Sequence, residues 1–504
     1  MLVHQGVELE TPPSGLEREF HTLFNSDALH FLSELISTFQ AEVDKVLNLR
    51  VLRKVQLDLT GELPGFLKDT AHIRNDPSWR VSPVPDRLHC RHVDVGDLSP
   101  CDTQRLITGL KSTAQGLQID FDDGNCPTYH NQIKGIYNVY QAVHNQFQAC
   151  GNNLGPFFYL SKVESYMEAR LWSQIFFWTE KKLGLPAGCI KATVLIECVL
   201  ASFEMEEILY ELKEHSAGLN CGIWDYSASF VNKFGHQAHF LLPDRSKYVD
   251  MEKRFLHSYM DLLVQTCHRR GALATGGMAA LLLPRDKESD LYKTVLRTVT
   301  RLKLLEIKAG VDGFMVYDMD LIEPMQKLFE LHSHGPNQLL QLREDITVTP
   351  EDLLTMPAGG VTLYGLRYNI AVGVLFIEAW LSGRGHFFYL GKVEDSATAE
   401  ISRSQVWQWI RHQVRLEDDG TVVTRALVGS LAEGLMEDLK AAIYCQTSRD
   451  KQRLMTAVSM FIEIVQKNDF PEFLTTYLNL DHTFLSSQSQ HENGQTDMVP
   501  KARL

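Results

Sequence analysis

Short apolar runs alternate with longer amphipathic runs between about residues 86 and 330. The apolar runs have the length and β-branched content of buried parallel strands, and the amphipathic runs have helical spacing. This alternation is typical of repeated βα units, which close into a barrel when eight of them follow one another. The pattern predicts seven strands: Arg91–Val95, Leu117–Phe121, Phe157–Val163, Lys191–Ile196, Leu219–Ile223, Ala272–Met278 and Gly313–Tyr317.

Helical patterns flank this region on both sides. An apolar stripe predicts a helix beginning near residue 26, and helical composition returns beyond residue 340. The proline-rich segment 76–85 marks a boundary between the first helical part and the barrel. We therefore divide the chain into an N-terminal helical clasp (1–85), a TIM-type barrel (86–335), a C-terminal helical plug (336–485) and a polar, disordered tail (486–504).

Length and composition are those of a large globular enzyme. At 504 residues, the chain suggests one barrel with appended segments. The net charge of −14 argues against a nucleic-acid partner, and the sequence has no apolar run long enough to cross a membrane. Nine cysteines without a Cys-x-x-Cys pair favour a reducing compartment over a disulfide framework or a structural zinc site.

The C-terminal tripeptide suggests a cellular address. Ala502-Arg503-Leu504 has the small-basic-leucine order of the peroxisomal Ser-Lys-Leu signal, and the polar tail before it would leave it accessible to a receptor. We expect an interaction with the peroxisomal import receptor and a peroxisomal location. If the signal is not recognised, the location would be the cytoplasm.

Candidate chemistry is concentrated between residues 190 and 226. The pattern predicts a strand ending at Glu197, a helix, and a second strand ending near Asp225. A βαβ unit brings both strand ends to one edge of the sheet, where two carboxylates could bind a hard divalent cation such as Mg²⁺. An acid at a strand end is, however, more often a helix cap or a solvated loop residue, and the same alternative applies to Asp395 before the helix at 396–411.

Two histidines invite a metal interpretation that their spacing does not support. His215 and His268 have no partner at ligand spacing, so a buried or helix-end position is the better interpretation for both.

Five motifs, in order, resemble the malate synthase family over about residues 75 to 470. They are Ile-Lys-Ala-Thr-Val-Leu-Ile-Glu (190–197), Glu-His-Ser-Ala-Gly-Leu-Asn-Cys-Gly-Ile-Trp-Asp-Tyr (214–226), Cys-His-Arg-Arg-Gly (267–271), Gly-Gly-Met-Ala-Ala (276–280) and Glu-Asp-Ser-Ala-Thr-Ala-Glu-Ile-Ser-Arg (394–403). The resemblance implies a TIM-type barrel with a helical clasp and plug. It also implies a condensation of glyoxylate with acetyl-CoA that gives malate and free CoA.

The resemblance also implies roles for individual residues. Asp395 would be the base that removes the methyl proton of acetyl-CoA, and Glu197 and Asp225 would hold Mg²⁺. Backbone amides around Gly222 and Trp224 would bind the glyoxylate carboxylate, because glycine allows a close approach to the main chain.

The chain departs from the family pattern at three places. A strand ending in Arg-Pro-Arg-Gly-Trp-His, whose arginine stabilises the enolate, has no counterpart in the short interval 124–156, and no arginine lies between Arg105 and Arg170. Ile223 replaces a usual arginine, and Val316-Tyr317-Asp318 replaces a Val-Ala-His-Pro segment near the coenzyme. We therefore expect a barrel one strand short and weakened activity, either in a shortened gene product or in a weakened family member.

Two other functions stay open on the sequence. One is a related barrel lyase acting on acyl-CoA thioesters, similar to a citrate-lyase β subunit, although the Trp-Asp-Tyr motif speaks against it. The other is a CoA-binding or assembly protein without catalysis. The octapeptide Phe-Phe-Tyr-Leu-x-Lys-Val-Glu occurs at 157–164 and again at 387–394, which we interpret as coincidence.

Overall fold

The computed structural model describes residues 2–4, 7–147, 157–333, 335–441 and 447–479. The tail 486–504 and the tripeptide Ala502-Arg503-Leu504 lie outside the described residues, so their predicted disorder and accessibility stay predictions. No helix in the described ranges has the length and apolar character needed to cross a membrane.

The N-terminal part is a small hairpin followed by helices. Strands β1 (Leu2–His4) and β2 (Val7–Leu9) pair antiparallel. Helices α1 (Glu17–Leu23), α2 (Ser26–Thr60) and α3 (Ala71–Asn75) follow. The long helix α2 lies along the barrel, where the Arg50 guanidinium donates to the Glu168 carboxylate at 2.8 Å and to the carbonyl of Lys162 at 2.7 Å. The clasp thus braces the loop that carries Lys162.

The central sheet contains the seven predicted parallel strands. They are β3 (Val93–Leu98), β4 (Gly116–Ile119), β5 (Phe158–Leu160), β6 (Ala192–Ile196), β7 (Ser216–Cys221), β8 (Ala274–Ala279) and β9 (Gly313–Val316). Their order in the sheet is β4-β3-β9-β8-β7-β6-β5. Among the described residues the sheet has seven strands, with β4 and β5 at its two edges. Residues 148–156, between these two strands, lie outside the described part of the chain, so the predicted loss of one barrel strand stays a prediction.

Helices cover the outside of the sheet. They are α4 (Thr103–Leu110), α5 (Tyr129–Val143), α6 (Tyr166–Leu183), α7 (Met205–Glu211), α8 (Trp224–Phe234), α9 (Arg245–Tyr248), α10 (Arg254–Arg270), α11 (Asp290–Ala309) and α12 (Ile322–His332). Helix α5 stands in the interval where the family carries its arginine strand. Its Gly135 lies against Pro100 and Phe121, where a larger side chain would clash.

A buried arginine connects the two sides of the open sheet. Arg91, just before β3, donates to the Thr193 hydroxyl on β6 at 3.0 Å and to the Tyr159 hydroxyl on β5. Asp94 lies 3.4 Å from the same guanidinium and balances its charge. These contacts join β3 to β5 and β6 through the interior, on the side where β4 and β5 are not paired with each other in the described part of the sheet.

The C-terminal part is a second, helical core. It comprises α13 (Pro350–Leu354), α14 (Leu363–Leu381), β10 (Phe387–Tyr389), β11 (Lys392–Glu394), α15 (Ser396–Arg411), α16 (Arg425–Ala441), α17 (Ser448–Gln466) and α18 (Leu474–Asn479). Helix α14 is buried along most of its length and packs against α15 and α17.

Buried polar contacts fix α15 to the barrel side. The Gln408 side chain accepts from the Leu242 amide at 3.0 Å and donates to the Phe240 carbonyl at 2.8 Å. The Trp409 indole donates to the Leu242 carbonyl at 2.8 Å. Because these groups are removed from water, each must keep its partner, which sets the position of α15. The residue at its N-terminus is Asp395.

Candidate active site

Three acids meet at the carboxyl end of the sheet. Glu197 follows directly after β6, Asp123 lies in the loop after β4, and Asp225 lies in the first turn of α8. Each offers a carboxylate oxygen, and the three oxygens lie within 4.8 Å of one another. We call these residues the acid trio. Glu197 and Asp225 therefore face one point, as the βαβ argument predicted.

The route to Asp225 differs from the prediction. Strand β7 ends at Cys221, not at Ile223, and Asp225 is carried by helix α8, which begins at Trp224. The helix starts within a few residues of the strand end, so the carboxylate still reaches the same edge. The predicted strand Leu219–Ile223 lies further along the chain than β7 itself (Ser216–Cys221), because the apolar pattern extends into the turn before α8.

Asp123 is a site acid that sequence reasoning missed. The Asp120 side chain accepts hydrogen bonds from the backbone N–H groups of Asp122 at 2.8 Å and Asp123 at 3.0 Å, which fixes this turn. The Ser396 hydroxyl of α15 donates to Asp123 Oδ1. The sequence did contain a signal for Asp123, because in Asp-Phe-Asp-Asp (120–123) the last two acids follow the predicted strand Leu117–Phe121, just as Glu197 follows its own strand.

A lysine lies among the acids. Lys162 Nζ is 2.7 Å from Asp225 Oδ2, 3.3 Å from Asp123 Oδ1 and 3.5 Å from Glu197 Oε2. Its backbone has a positive φ of 56°, and its N–H donates to Glu197 Oε2 at 2.8 Å. Lys162 was also missed, because no local pattern distinguishes it from a surface lysine.

Burial and the neighbouring charges shift the pKa values of the trio and of Lys162. Burial raises the pKa of Glu197 to about 8 and raises that of Asp123, with the neighbouring Asp225 carboxylate adding to both shifts. Burial alone would lower the pKa of Lys162, but the carboxylates of Asp123, Asp225 and Glu197 outweigh it and raise that pKa. Hard carboxylate oxygens at this separation fit a single Mg²⁺, which prefers few protein carboxylates and several waters.

Asp395 lies above this edge, on the helical plug. The hairpin of β10 and β11 is bonded to the segment after β8, where the Leu282 amide donates to the Gly391 carbonyl and the Val393 amide donates to the Ala280 carbonyl. This contact brings the end of β11 over the barrel mouth. Asp395 follows β11 directly and is only 9% exposed.

The helix-cap interpretation of Asp395 is also correct. Its Oδ1 accepts from the Thr398 amide at 3.1 Å, while its own amide donates to the Thr398 hydroxyl at 3.0 Å. Burial raises the pKa of Asp395 to about 7; the Thr398 amide opposes this shift, and the carboxylates of Asp225 and Asp120 add to it. The cap holds the carboxyl in place, and the raised pKa makes the carboxylate a better proton acceptor.

The two predicted glyoxylate contacts have defined surroundings. The Gly222 amide donates to the Tyr259 hydroxyl at 3.2 Å, and that hydroxyl donates to the Ile196 carbonyl at 2.6 Å. Trp224 is the first residue of α8, and the Arg245 guanidinium lies 4.9 Å from its ring. The backbone N–H groups of a first helical turn have no intrahelical acceptor. Substrate binding at Gly222 and Trp224 stays a prediction.

Both histidines are buried structural residues, as predicted. The His215 ring lies 3.3 Å from the Glu180 carboxylate, and His268 lies 2.7 Å from the Gln341 carbonyl and 3.1 Å from Asp312. The Nδ1 atom of His215 is buried without a hydrogen-bond partner among the described residues, and neither histidine belongs to the acid trio.

Comparisons with known proteins decide the family. Residues 119–356 match the family model described as "Malate synthase, TIM barrel domain", and residues 360–481 match "Malate synthase, C-terminal". Malate synthase of Myxococcus xanthus is 36% identical over 91% of this chain and 93% of its own length. The chain belongs to the malate synthase family. Glyoxysomal malate synthase of Cucumis sativus is 34% identical over 94% of this chain and 93% of its own length.

One solved structure of a malate synthase is also similar to this chain. The Haloferax volcanii malate synthase magnesium/glyoxylate complex is 12% identical, with a TM-score of 0.37, over 75% of this chain and 96% of that one.

Replacing Lys162 tests whether the trio of this malate synthase relative needs a cation. In Lys162→Met without Mg²⁺, the three carboxylates lose their ammonium partner, and we expect a loss of about 3–5 kcal/mol of unfolding free energy, as for a broken buried ion pair. Saturating Mg²⁺ should restore about 2.7 kcal/mol at a hundredfold excess over Kd. Thermal unfolding with and without Mg²⁺ measures both effects.

The control is a buried lysine outside the trio. Lys233 lies 2.6 Å from Glu164, and Lys233→Met removes an ion pair of similar burial. This variant should be destabilised as well, but Mg²⁺ should stabilise it no more than it stabilises the wild type. Equal rescue of both variants by Mg²⁺ would contradict a cation site at the trio.

Proposed function

We propose that this chain is a magnesium-dependent malate synthase, an acyltransferase that condenses glyoxylate with acetyl-CoA and hydrolyses the thioester to malate and free CoA. The observation that carries the proposal is a buried acid, Asp395, held over three converging carboxylates at the carboxyl end of the sheet. Proton abstraction next to a thioester needs a positioned base and an electrophile held in line. The family membership of the chain supports the same reaction.

Different residues of the chain would bind the metal ion and remove the proton. Asp123, Glu197 and Asp225 would hold Mg²⁺. When bound there, the ion supplies a Lewis acid that polarises the glyoxylate carbonyl. Asp395 takes a proton from the methyl group of acetyl-CoA, and its raised pKa strengthens it as a base near neutral pH. The hairpin of β10 and β11 covers the site and limits the access of water to the carbanion.

The N-terminal turn of α8 is the proposed carboxylate site for glyoxylate. The N–H groups at the start of a helix favour an anion. Gly222, just before this turn, has no side chain to block the approach of glyoxylate, and the space beside its Cα is open, because a Cβ there would meet nothing within 4 Å. Asp225 lies in the same turn, so the substrate would lie between this turn and the acid trio.

The test is release of free thiol from acetyl-CoA by the purified chain. A malate synthase releases thiol only with glyoxylate and Mg²⁺ present, and malate appears in equal amount. Cleavage of a citryl or malyl thioester to acetyl-CoA and the keto or aldehyde acid, with no free thiol released, would instead indicate the barrel lyase. Acetyl-CoA binding without any turnover would indicate a non-catalytic family member.

We infer a peroxisomal location from the sequence Ala502-Arg503-Leu504 and from glyoxysomal relatives such as that of Cucumis sativus. A fluorescent protein fused to the N-terminus of the whole chain should enter peroxisomes through the import receptor. Deleting residues 502–504 should leave the fusion in the cytoplasm. A fusion that stays cytoplasmic with the tripeptide present would contradict this location.

A further inference from the structure

A buried acid outside the trio lies at the end of β3. Asp97 is 2% exposed, and both of its carboxyl oxygens are buried without a hydrogen-bond partner among the described residues. An unpartnered buried polar group ordinarily costs stability, so its presence calls for a function. Its backbone has a φ of 54°, a left-handed conformation that aspartate tolerates better than most residues.

The surroundings of Asp97 place it at the active site. A Cβ built on Gly124 would lie 1.8 Å from Asp97 Oδ1, so the carboxyl group touches the residue that follows Asp123 of the trio. Burial raises the pKa of Asp97 well above its ordinary value, the carboxylates of Asp395 and Asp120 raise it further, and Arg105 opposes them. A buried carboxylate without hydrogen-bond donors is strongly disfavoured, so these observations favour the protonated form of Asp97, whose hydroxyl has no acceptor among the described residues.

We propose that Asp97 donates a hydrogen bond from its carboxyl hydroxyl to the enolate oxygen that forms when Asp395 removes the methyl proton; this role rests on the proposed malate synthase function. The base and the oxyanion donor must both reach a two-carbon acetyl group, and Asp97 lies near the end of β3 against Gly124, which follows Asp123 of the trio. A buried, protonated carboxyl group is a strong donor to an oxyanion in a site with little water.

The step is balanced without any further reactant. The proton of the methyl group moves to Asp395, and the C–H electron pair becomes the enolate. Asp97 keeps its proton and shares it with the enolate oxygen. The enolate carbon then attacks the glyoxylate aldehyde carbon, so a C–C bond forms, the aldehyde π bond breaks, and its electron pair moves to the aldehyde oxygen, which takes up the proton held by Asp395. The thioester carbonyl is restored, and the hydrogen bond to Asp97 weakens.

The cations near the site have partners elsewhere, except that Arg105 Nε is buried without a hydrogen-bond partner among the described residues. Arg105 stacks at 3.9 Å on the ring of Tyr317 and donates to the carbonyl of that residue at 2.6 Å. Arg245 donates to Asn369 and Ser402 at 2.9 Å each, and Lys162 is held by the trio. The sequence has no counterpart of the family's arginine strand, and Asp97 is a carboxyl group whose two oxygens are both without a partner among the described residues.

Two substitutions separate this role from a structural one. Asparagine and glycine both accept a positive φ, so Asp97→Asn and Asp97→Gly keep the backbone. Asparagine retains a donor, and its kcat should stay within about tenfold of the wild type, whereas glycine should lower kcat by about 10²–10³. KM for both substrates should be unchanged. Exchange of the methyl protons of acetyl-CoA with D₂O should fall in parallel with kcat.

Each result supports or overturns the proposal. Equal losses in both variants, with the acid limb of the pH–rate profile moved to lower pH, would show that Asp97 acts as an anion on Asp395. Normal kcat in Asp97→Gly would remove Asp97 from catalysis. A wild-type protein that forms no malate overturns the proposed function itself, which is a separate failure and removes the role of Asp97 with it.

Thermal stability gives a readout that does not depend on turnover and serves if the glycine variant fails to fold. A protonated Asp97 carries no charge, so Asp97→Asn should match the Tm of the wild type at pH 7. Above the pKa of Asp97, the wild type should lose stability relative to the variant, because a buried carboxylate then has to form. A variant already more stable than the wild type at pH 6 would show that Asp97 is ionised.

Discussion

Asp395→Asn lowers kcat by about 10²–10⁴, the loss expected when a general base is removed. The amide cannot accept the methyl proton, but it can still cap α15 by accepting from the Thr398 amide. Steady-state thiol release from acetyl-CoA at saturating glyoxylate and Mg²⁺ measures the change. Glu394→Gln is the matched control, because Glu394 is the preceding residue and accepts instead from the Tyr368 hydroxyl. It should retain activity within about tenfold.

Asp395→Asn should also be more stable than the wild type at alkaline pH. The folded-state pKa of Asp395 is raised to about 7, so its protonated form stabilises the fold at low pH, and this contribution is lost as the pH rises through 7. At pH 8 Asp395→Asn should therefore gain on the order of 2–4 kcal/mol. Urea unfolding at pH 5 and pH 8 measures the difference. A variant less stable than the wild type at pH 8 would show that the carboxylate is favourably paired.

Asp225→Asn and Glu197→Gln should each abolish useful Mg²⁺ binding. Loss of an outer-shell partner alone lowers metal affinity by about 10–100-fold, and a ligand should cost at least as much. Titration calorimetry with Mg²⁺ measures the affinity directly, and malate formation should fall with it. Both variants keep the shape of the site, so their folds should be retained.

Asp122→Asn is the control for this pair. Asp122 lies next to Asp123 and 3.6 Å from Lys162 Nζ, but its side chain is 47% exposed and it is outside the trio. It should bind Mg²⁺ within about threefold of the wild type, as expected for an exposed carboxylate in water. A large loss in Asp122→Asn with normal binding in Asp225→Asn would place the cation elsewhere.

Much of the barrel follows from the sequence, because buried parallel strands carry continuous apolar runs. The octapeptide shows where local pattern fails. At 157–164 it forms β5 and the left-handed turn at Lys162, while at 387–394 it forms the hairpin of β10 and β11. The second copy has Gly391 where the first has Ser161. This difference and the different neighbouring segments select the hairpin at 387–394. Tertiary contacts, which no single segment encodes, decided between them.

The site was predicted in part for a similar reason. Glu197, Asp225 and Asp395 stand in motifs whose order identified them, and the structure brings the first two together under the third. Lys162 and Asp97 depend on left-handed backbone positions and on burial by distant segments, neither of which is visible in a linear pattern. In the plug helix α15 the polar side chains of Gln405 and Gln408 are also buried, where they donate to the carbonyls of Pro243 and Phe240.

The most direct measurement is a crystal structure of the whole chain grown with Mg²⁺ and glyoxylate. The account predicts one metal ion bound by oxygens of Asp123, Glu197 and Asp225 at about 2.0–2.1 Å, with Lys162 Nζ displaced and the Asp395 carboxyl facing the substrate. A metal ion held by other residues, or a trio still closed on Lys162 at saturating Mg²⁺, would contradict it.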